Sequence, residues 1–222
     1  MLPQAKTTRV DNAYERLKSD ILNGDLPPGY QAPEPDIAAR LQMSRTPVRE
    51  ALIRLEAEGL VELVPRRGAR ILSVTTQDFL EIHQILSMLE GLAASIIAQR
   101  KLPAHAFDEL SVIIDAADEA LEKNDLEAFA EHDDQFHRLI GSLSNPRLQR
   151  EIDVLLNQIC RANKVLLRLN KGPAALPIGN RDLFEALKSG SPEKAESIAR
   201  SHRIEGTMTM KRLFEECGLT HL

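Results

Sequence analysis

Residues 33–74, PEPDIAARLQMSRTPVREALIRLEAEGLVELVPRRGARILSV, constrain the fold of this 222-residue chain more than any other stretch. They predict two short amphipathic helices joined by a tight turn, then two strands around a basic tip. That order is a winged helix-turn-helix. The second helix opens at Ser44, a residue type suited to an N-cap, and Pro47 falls in the first turn, where a missing N–H costs nothing. Val48, Ala51, Leu52 and Leu55 then follow the i, i+3, i+4, i+7 spacing of a buried stripe. Ser44, Arg45, Thr46 and Arg49 are left near the open end. Arginine there can grip a phosphate or fork onto a guanine edge, and the positive end of the helix adds to anion binding. The strands are read as Val61–Val64 and Ala69–Val74, with Pro65, Arg66, Arg67 and Gly68 at the tip. Two arginines beside a glycine suit a wing laid against a groove. Taken alone, such a tip can equally be a solvated hairpin end.

The run from Ser44 to Val61 and the basic wing after it resemble the GntR family of bacterial transcription regulators. Their signature is close to SRTPVREAL-x-RLEAEGLV, and the match implies binding to double-stranded operator DNA. The net charge of -5 at first argues against that partner. It is unevenly divided. Residues 1–75 hold 11 Lys+Arg against 10 Asp+Glu, and residues 76–222 hold 17 against 23. Six arginines and no lysine lie between positions 44 and 70, and phosphate contact depends on such local clusters rather than on the total.

Upstream, Val10, Ala13, Tyr14, Leu17 and Ile21 mark one face of a helix that Gly24 stops. A domain boundary is expected at Thr75-Thr76, where Thr75 with Asp78 makes a capping-box-like start. From there on the periodicity is helical throughout, in about six segments near 76–101, 104–123, 125–143, 146–170, 179–189 and 192–216. Pro103, Asn124-Asp125, Asn145-Pro146, Gly172-Pro173 and Gly190 to Pro192 separate them. Phe79, Ile82, Leu86, Leu89, Ala93 and Ile96 are read as a core face rather than a dimer seam. Asn157, Arg161, Lys164 and Arg168 form a polar row, read as solvated surface unless the bundle holds a pocket, in which case Arg161 is the member to test. The expected architecture is therefore mainly α: a winged helix-turn-helix over residues 8–75 and an all-α bundle over 76–222. No apolar run approaches the roughly 18 residues of a membrane span, and no signal-peptide core is evident, so no membrane association and a cytoplasmic location are expected. Cys160 and Cys217 sit in no metal or redox spacing and are read as free thiols.

Asp133 and His137 stand four apart on one helix, so their side chains point the same way and can chelate one ion. A solvated or core-satisfied histidine gives the same pattern. His132 is turned about 140° away from His137 by the helix period. The phrase Asp133-Asp134-Gln135-Phe136-His137-Arg138, followed by Ser144-Asn145-Pro146, resembles the D-x-x-F-H and S-x-N-P stretch of the FCD domain. That domain is the helical effector module of the FadR subfamily. The tail from Ala195 to His202 is similar to its last helix. The resemblance implies a divalent ion held by one Asp and three His, with Asp133, His137 and His202 in three of those positions and Asn180 where the fourth His usually stands. Asn offers a neutral oxygen, which weakens zinc-like binding and leaves a site for zinc, nickel or a manganese-like ion. Three further departures are Pro35 and Leu86, where relatives carry arginines facing DNA and the effector pocket, and Gln42, where Gly is common in the turn. Arg161 is the candidate to take over the role Leu86 gives up.

Together these features imply a homodimeric regulator of the FadR subfamily on an inverted repeat. It is expected to be a repressor released by a small effector, a carboxylate bound at the metal. A metal-dependent hydrolytic enzyme with a DNA-binding head is the competing class. It has the ligands, but no motif assigns a general base beside an open metal position. An architectural DNA protein would not need the helical bundle.

Overall fold

The computed structural model describes residues 8–169 and 180–222, which form two compact units meeting between Ser73 and Val74. In the first unit, α1 (Arg9–Asn23) starts at a capping box between Thr8 and Asp11 and ends at Gly24, whose φ of 86° only glycine adopts freely. A two-residue strand, β1 (Gln31–Ala32), precedes α2 (Glu34–Leu41) and α3 (Arg45–Ala57). The wing strands are β2 (Val61–Val64) and β3 (Gly68–Ile71), and the antiparallel sheet runs β1-β3-β2. Sequence reading did not find β1, which is too short to show alternation. It also placed the end of β3 at Val74. The strand stops at Ile71, and Val74 instead exchanges backbone bonds with Leu222, its N–H donating at 2.7 Å and its carbonyl accepting at 2.9 Å.

Val48, Ala51, Leu52 and Leu55 are essentially inaccessible, so the predicted stripe is what seats α3. Burying each large member stabilises by about 1.5–3 kcal/mol. Tyr14 on α1 ties the same packing from below, donating from its hydroxyl to Glu58 at 2.6 Å while Arg54 stacks over its ring.

The second unit is helical. α4 (Thr76–Arg100) opens on the expected Thr75–Asp78 capping box. A short 3-10 turn over Ala104–Phe107 leads into α5 (Asp108–Glu122), then α6 (Leu126–Ser144), α7 (Pro146–Leu169), α8 (Asn180–Lys188) and α9 (Pro192–Glu216). Asn145 caps α7 by accepting from the N–H groups of Arg147 and Leu148, which accounts for the Asn-Pro pair there. The break expected at Gly172-Pro173 lies outside the described residues.

Within this unit α4 and α9 pack closely enough that a Cβ on Gly91 would meet Arg200 Cγ at 2.7 Å. Contacts of Phe79 with Phe214 and of Glu90 with Arg203 set the two helices antiparallel. Phe79, Leu86 and Ala93 are fully buried, Ile82 nearly so, and Leu89 and Ile96 only partly, at the edge of the core face. One expectation fails here. α4 is long and apolar enough to cross a membrane by length and composition, contrary to the reading that no run approaches that size. Its apolarity has two sources: the core face, and a second face on which Ile85, Met88 and Leu92 are about half exposed. The buried face also carries His83, Ser87 and Glu90, an arrangement suited to a protein core and costly in lipid.

Candidate nucleic-acid interface and metal centre

In the first unit an open groove lies between the start of α2, the exposed side of α3 and the wing, lined by Glu34, Pro35, Arg45, Arg49, Pro65 and Arg66 among others. Ser44, Arg45, Thr46 and Arg49 are all exposed around the start of α3. Ser44 occupies the N-cap position by backbone (φ -70°, ψ 158°), yet its side chain makes no capping bond, contrary to the cap role read from sequence. Arg49 is loosely tethered, its Nε 4.0 Å from Glu34 Oε1. Pro35 supplies no donor where an arginine would.

Arg66 and Arg67 are exposed at the wing tip, with Arg66 in the left-handed region at φ 65°. Gly68 is the first residue of β3 rather than part of the tip, paired with Val64. A Cβ there would lie 2.1 Å from the carbonyl oxygen of Ala32, so glycine is what lets β3 approach β1. Gln42 holds the turn of the helix-turn-helix in the left-handed region (φ 56°, ψ 41°), a strain of about 1 kcal/mol relative to glycine.

In the second unit, Asp133, His137 and His202 come together from α6 and α9, with one candidate ligand atom from each within 4.8 Å of the others. His137 Nε2 is 3.7 Å from Asp133 Oδ1, and the two imidazole centroids are 5.4 Å apart. Two atoms bound at about 2.1 Å to one ion stand about 3 Å or slightly more apart, so a small contraction suffices. Asn180, the first residue of α8, joins them. Its Nδ2 donates to Asp133 Oδ1 at 3.2 Å, while its Oδ1 is buried without a hydrogen-bond partner. Arg181 anchors that helix start by donating to Asp118 and Asp115 of α5. Asn180 turns its donor to Asp133, so it would bind an ion through Oδ1 only with the amide turned over, and the unpartnered buried oxygen is what that turn would satisfy. His132 lies apart from this set, its Nδ1 3.4 Å from Gln135 Oε1.

Around the ligands lies a buried polar layer that sequence reading missed. Glu90 of α4 is 1 % exposed and takes a two-pronged contact from Arg203 of α9, with Nε donating to Oε2 at 2.8 Å. His137 Nδ1 lies 3.3 Å from the same Oε2. Burial opposes the charge on Glu90, but Arg203 and then His137 outweigh it and hold the carboxyl well below its usual range. His83 is 3 % exposed, and neither ring nitrogen has a hydrogen-bond partner. Burial, reinforced by Arg203, pushes its pKa well below the ordinary value. His202 is lowered to about 4, by burial first and then by His137. Both rings are therefore neutral near pH 7.

The row on α7 is not plain surface. Asn157 is buried, Lys164 pairs with Glu131 at 3.1 Å, and Arg168 pairs with Glu127. Arg161 is half-buried on that helix, where burial lowers its pKa. The guanidinium seen beside the ligands is that of Arg203. Leu86 is fully buried among core side chains. Of the thiols, Cys160 is buried and pushed up to about 11, and Cys217 is exposed.

Residues 9–71 match the family described as bacterial regulatory proteins, gntR family, and residues 81–205 match the FCD domain. An uncharacterized HTH-type transcriptional regulator of Agrobacterium vitis is 41% identical over 135 residues, covering 60% of this chain and 78% of that protein. The "Probable D-xylose utilization operon transcriptional repressor" of Paenarthrobacter nicotinovorans is 31% identical, covering 89% of this chain and 86% of its own length. Among solved structures, McbR/YncC of E. coli superposes with a TM-score of 0.76 at 25% identity, over 96% of this chain and all of that one. The family and these relatives are transcription regulators, not enzymes, which removes the hydrolase alternative.

Proposed function

The chain belongs to the gntR family of bacterial regulatory proteins, with an FCD domain, and is a transcription regulator; on that premise we propose that it is a FadR-subfamily repressor released from its operator by a small organic acid. In this reading residues 8–75 bind an inverted repeat and residues 76–222 sense the acid. The observation that carries it is the Asp133, His137, His202 and Asn180 cluster, with its orphaned amide oxygen, inside a helical unit.

These residues would hold a divalent ion, which when bound would supply open positions for oxygen donors. The mixed ligand set suits zinc, nickel or a manganese-like ion. Leu86 offers no charge, and the guanidinium of Arg203 is occupied by Glu90, so the protein supplies no free clamp from those two positions. Purified protein is expected to carry less than one equivalent of divalent metal, lost to a chelator and absent in His137→Ala. No metal by elemental analysis, even after reconstitution, would sink this reading.

A homodimer is supported by the half-exposed Ile85, Met88 and Leu92 on α4 and the exposed Ile204 and Met208 on α9. The antiparallel register sets Ile85 level with Met208, and exposed apolar side chains on both helices suit a self-complementary interface. Met88→Glu should shift the protein to monomer in sedimentation. A dimer unaffected by that charge would place the interface elsewhere. A two-fold protein in turn calls for a two-fold site on DNA, and a cytoplasmic location follows from that partner.

A further inference from the structure

α4 contributes no ligand to the candidate centre, yet its Glu90 touches it. We propose that Glu90, held in place by Arg203, is a positioning residue that fixes the tautomer of His137 so that Nε2 presents its lone pair to the ion. The inference rests on the metal reading above.

An imidazole that ligates an ion through one nitrogen keeps its single proton on the other, and here a carboxylate faces each nitrogen. Glu90 Oε2 faces Nδ1 at 3.3 Å and Asp133 Oδ1 faces Nε2 at 3.7 Å. With the proton on Nε2, the lone pair of Nδ1 would be pressed against a carboxylate that is 1 % exposed and cannot turn to water. With the proton on Nδ1, that contact becomes a donor facing an acceptor. The remaining opposition, a lone pair on Nε2 facing Asp133, is what a cation between them converts to attraction. Asp133, with its side chain 30% exposed, is also the easier of the two to rehydrate.

The contact to Glu90 falls short of an aligned hydrogen bond, and a small ring rotation aligns it. Arg203 makes the arrangement possible, because a buried carboxylate without a partner would take up a proton rather than stay charged. It follows His202 directly in α9, so the turn that delivers a ligand also delivers the clamp. Carboxylates that accept from the far nitrogen of a ligating histidine raise its basicity and hold its ring, and their loss typically costs 10- to 100-fold in metal affinity.

The test uses the full chain with Co²⁺ as the probe, in wild type, His137→Ala and the double variant Glu90→Met/Arg203→Met. The double change leaves the net charge unaltered and replaces a buried ion pair by apolar groups, a swap that is often neutral for folding. Folded double variant should bind Co²⁺ about 10- to 100-fold more weakly than wild type, with an altered Co²⁺ absorption spectrum. A purely structural ion pair would leave both unchanged in the folded variant, and that result overturns the proposal.

Long-range proton–nitrogen spectra of the wild type give a reading that needs no variant. His137 should carry its proton on Nδ1, and a proton found on Nε2 overturns the proposal even if the double variant fails to fold. Wild type that takes up no Co²⁺ while showing the Nδ1 tautomer would remove the metal centre, and the proposed role with it, while leaving the Glu90 contact itself intact.

Discussion

Arg49 stands on the open face of α3 with its side chain 67% exposed and only a 4.0 Å approach from Glu34. Its charge is free to be spent on DNA. Arg49→Ala should therefore weaken specific operator binding by about 1–3 kcal/mol while leaving the fold intact, because no core contact is lost. Arg67→Ala, at the wing tip, should weaken binding less and reduce the salt slope by about one. Titrations at several salt concentrations check both, and unchanged specific affinity in Arg49→Ala would refute the reading of α3. At this scale the sequence was informative where chemistry repeats along one helix. Asp133 and His137 are four apart and can be paired on spacing alone. His202 and Asn180 could be added only through resemblance, since nothing in their spacing links α8 and α9 to α6. Glu90 and Arg203 lie 113 positions apart, and no local pattern pairs them. The available signal was that Glu90 is the one acidic residue between positions 82 and 99 of α4, with His83 about two turns earlier.

α4 shows how one helix can be read correctly and incompletely. Its 3- and 4-residue alternation predicts the core face, and the same spacing puts His83 four after Phe79 and Glu90 four after Leu86 on it, but spacing does not show what partners a polar group buried there. The consequence is a pH dependence. His83 and His202 have folded-state pKa values below the unfolded value near 6.5, His202 at about 4, so the unfolded chain binds more protons between those limits. The stability they contribute is complete above about pH 6.5 and is lost as the pH falls toward 4. Glu90 acts lower, because its depressed pKa contributes stability that is lost only below the ordinary carboxylate range. Thermal melts of the metal-stripped protein should thus show a falling transition between pH 6.5 and 4.5, flattened in His83→Phe. A transition temperature constant across that window would contradict the buried neutral histidines. Strand ends were less legible than helices for a related reason: β3 yields Val74 to a partner, Leu222, that lies at the far end of the sequence.

Across the whole molecule the charge is divided by task. Six arginines cluster between positions 44 and 70, in the unit with the groove, while the acidic excess lies in the helical unit. The family and the two-part architecture were legible because the reading head carries a long local signature and the bundle is punctuated by Pro, Asn and Gly. What the bundle senses was less legible, since the candidate centre, with Asp133 and His137 from α6, Asn180 from α8, His202 from α9 and Glu90 of α4 behind them, is brought together only by folding. In the proposed function an acid acts through the metal to release DNA. Its most direct test is a titration of small organic acids into the complex of the full chain with operator DNA selected from its own genome, with and without a chelator. At least one acid should lower operator affinity in the metal-loaded protein and have no effect once the metal is removed. Release by neutral compounds, or by acids indifferent to the chelator, would contradict it.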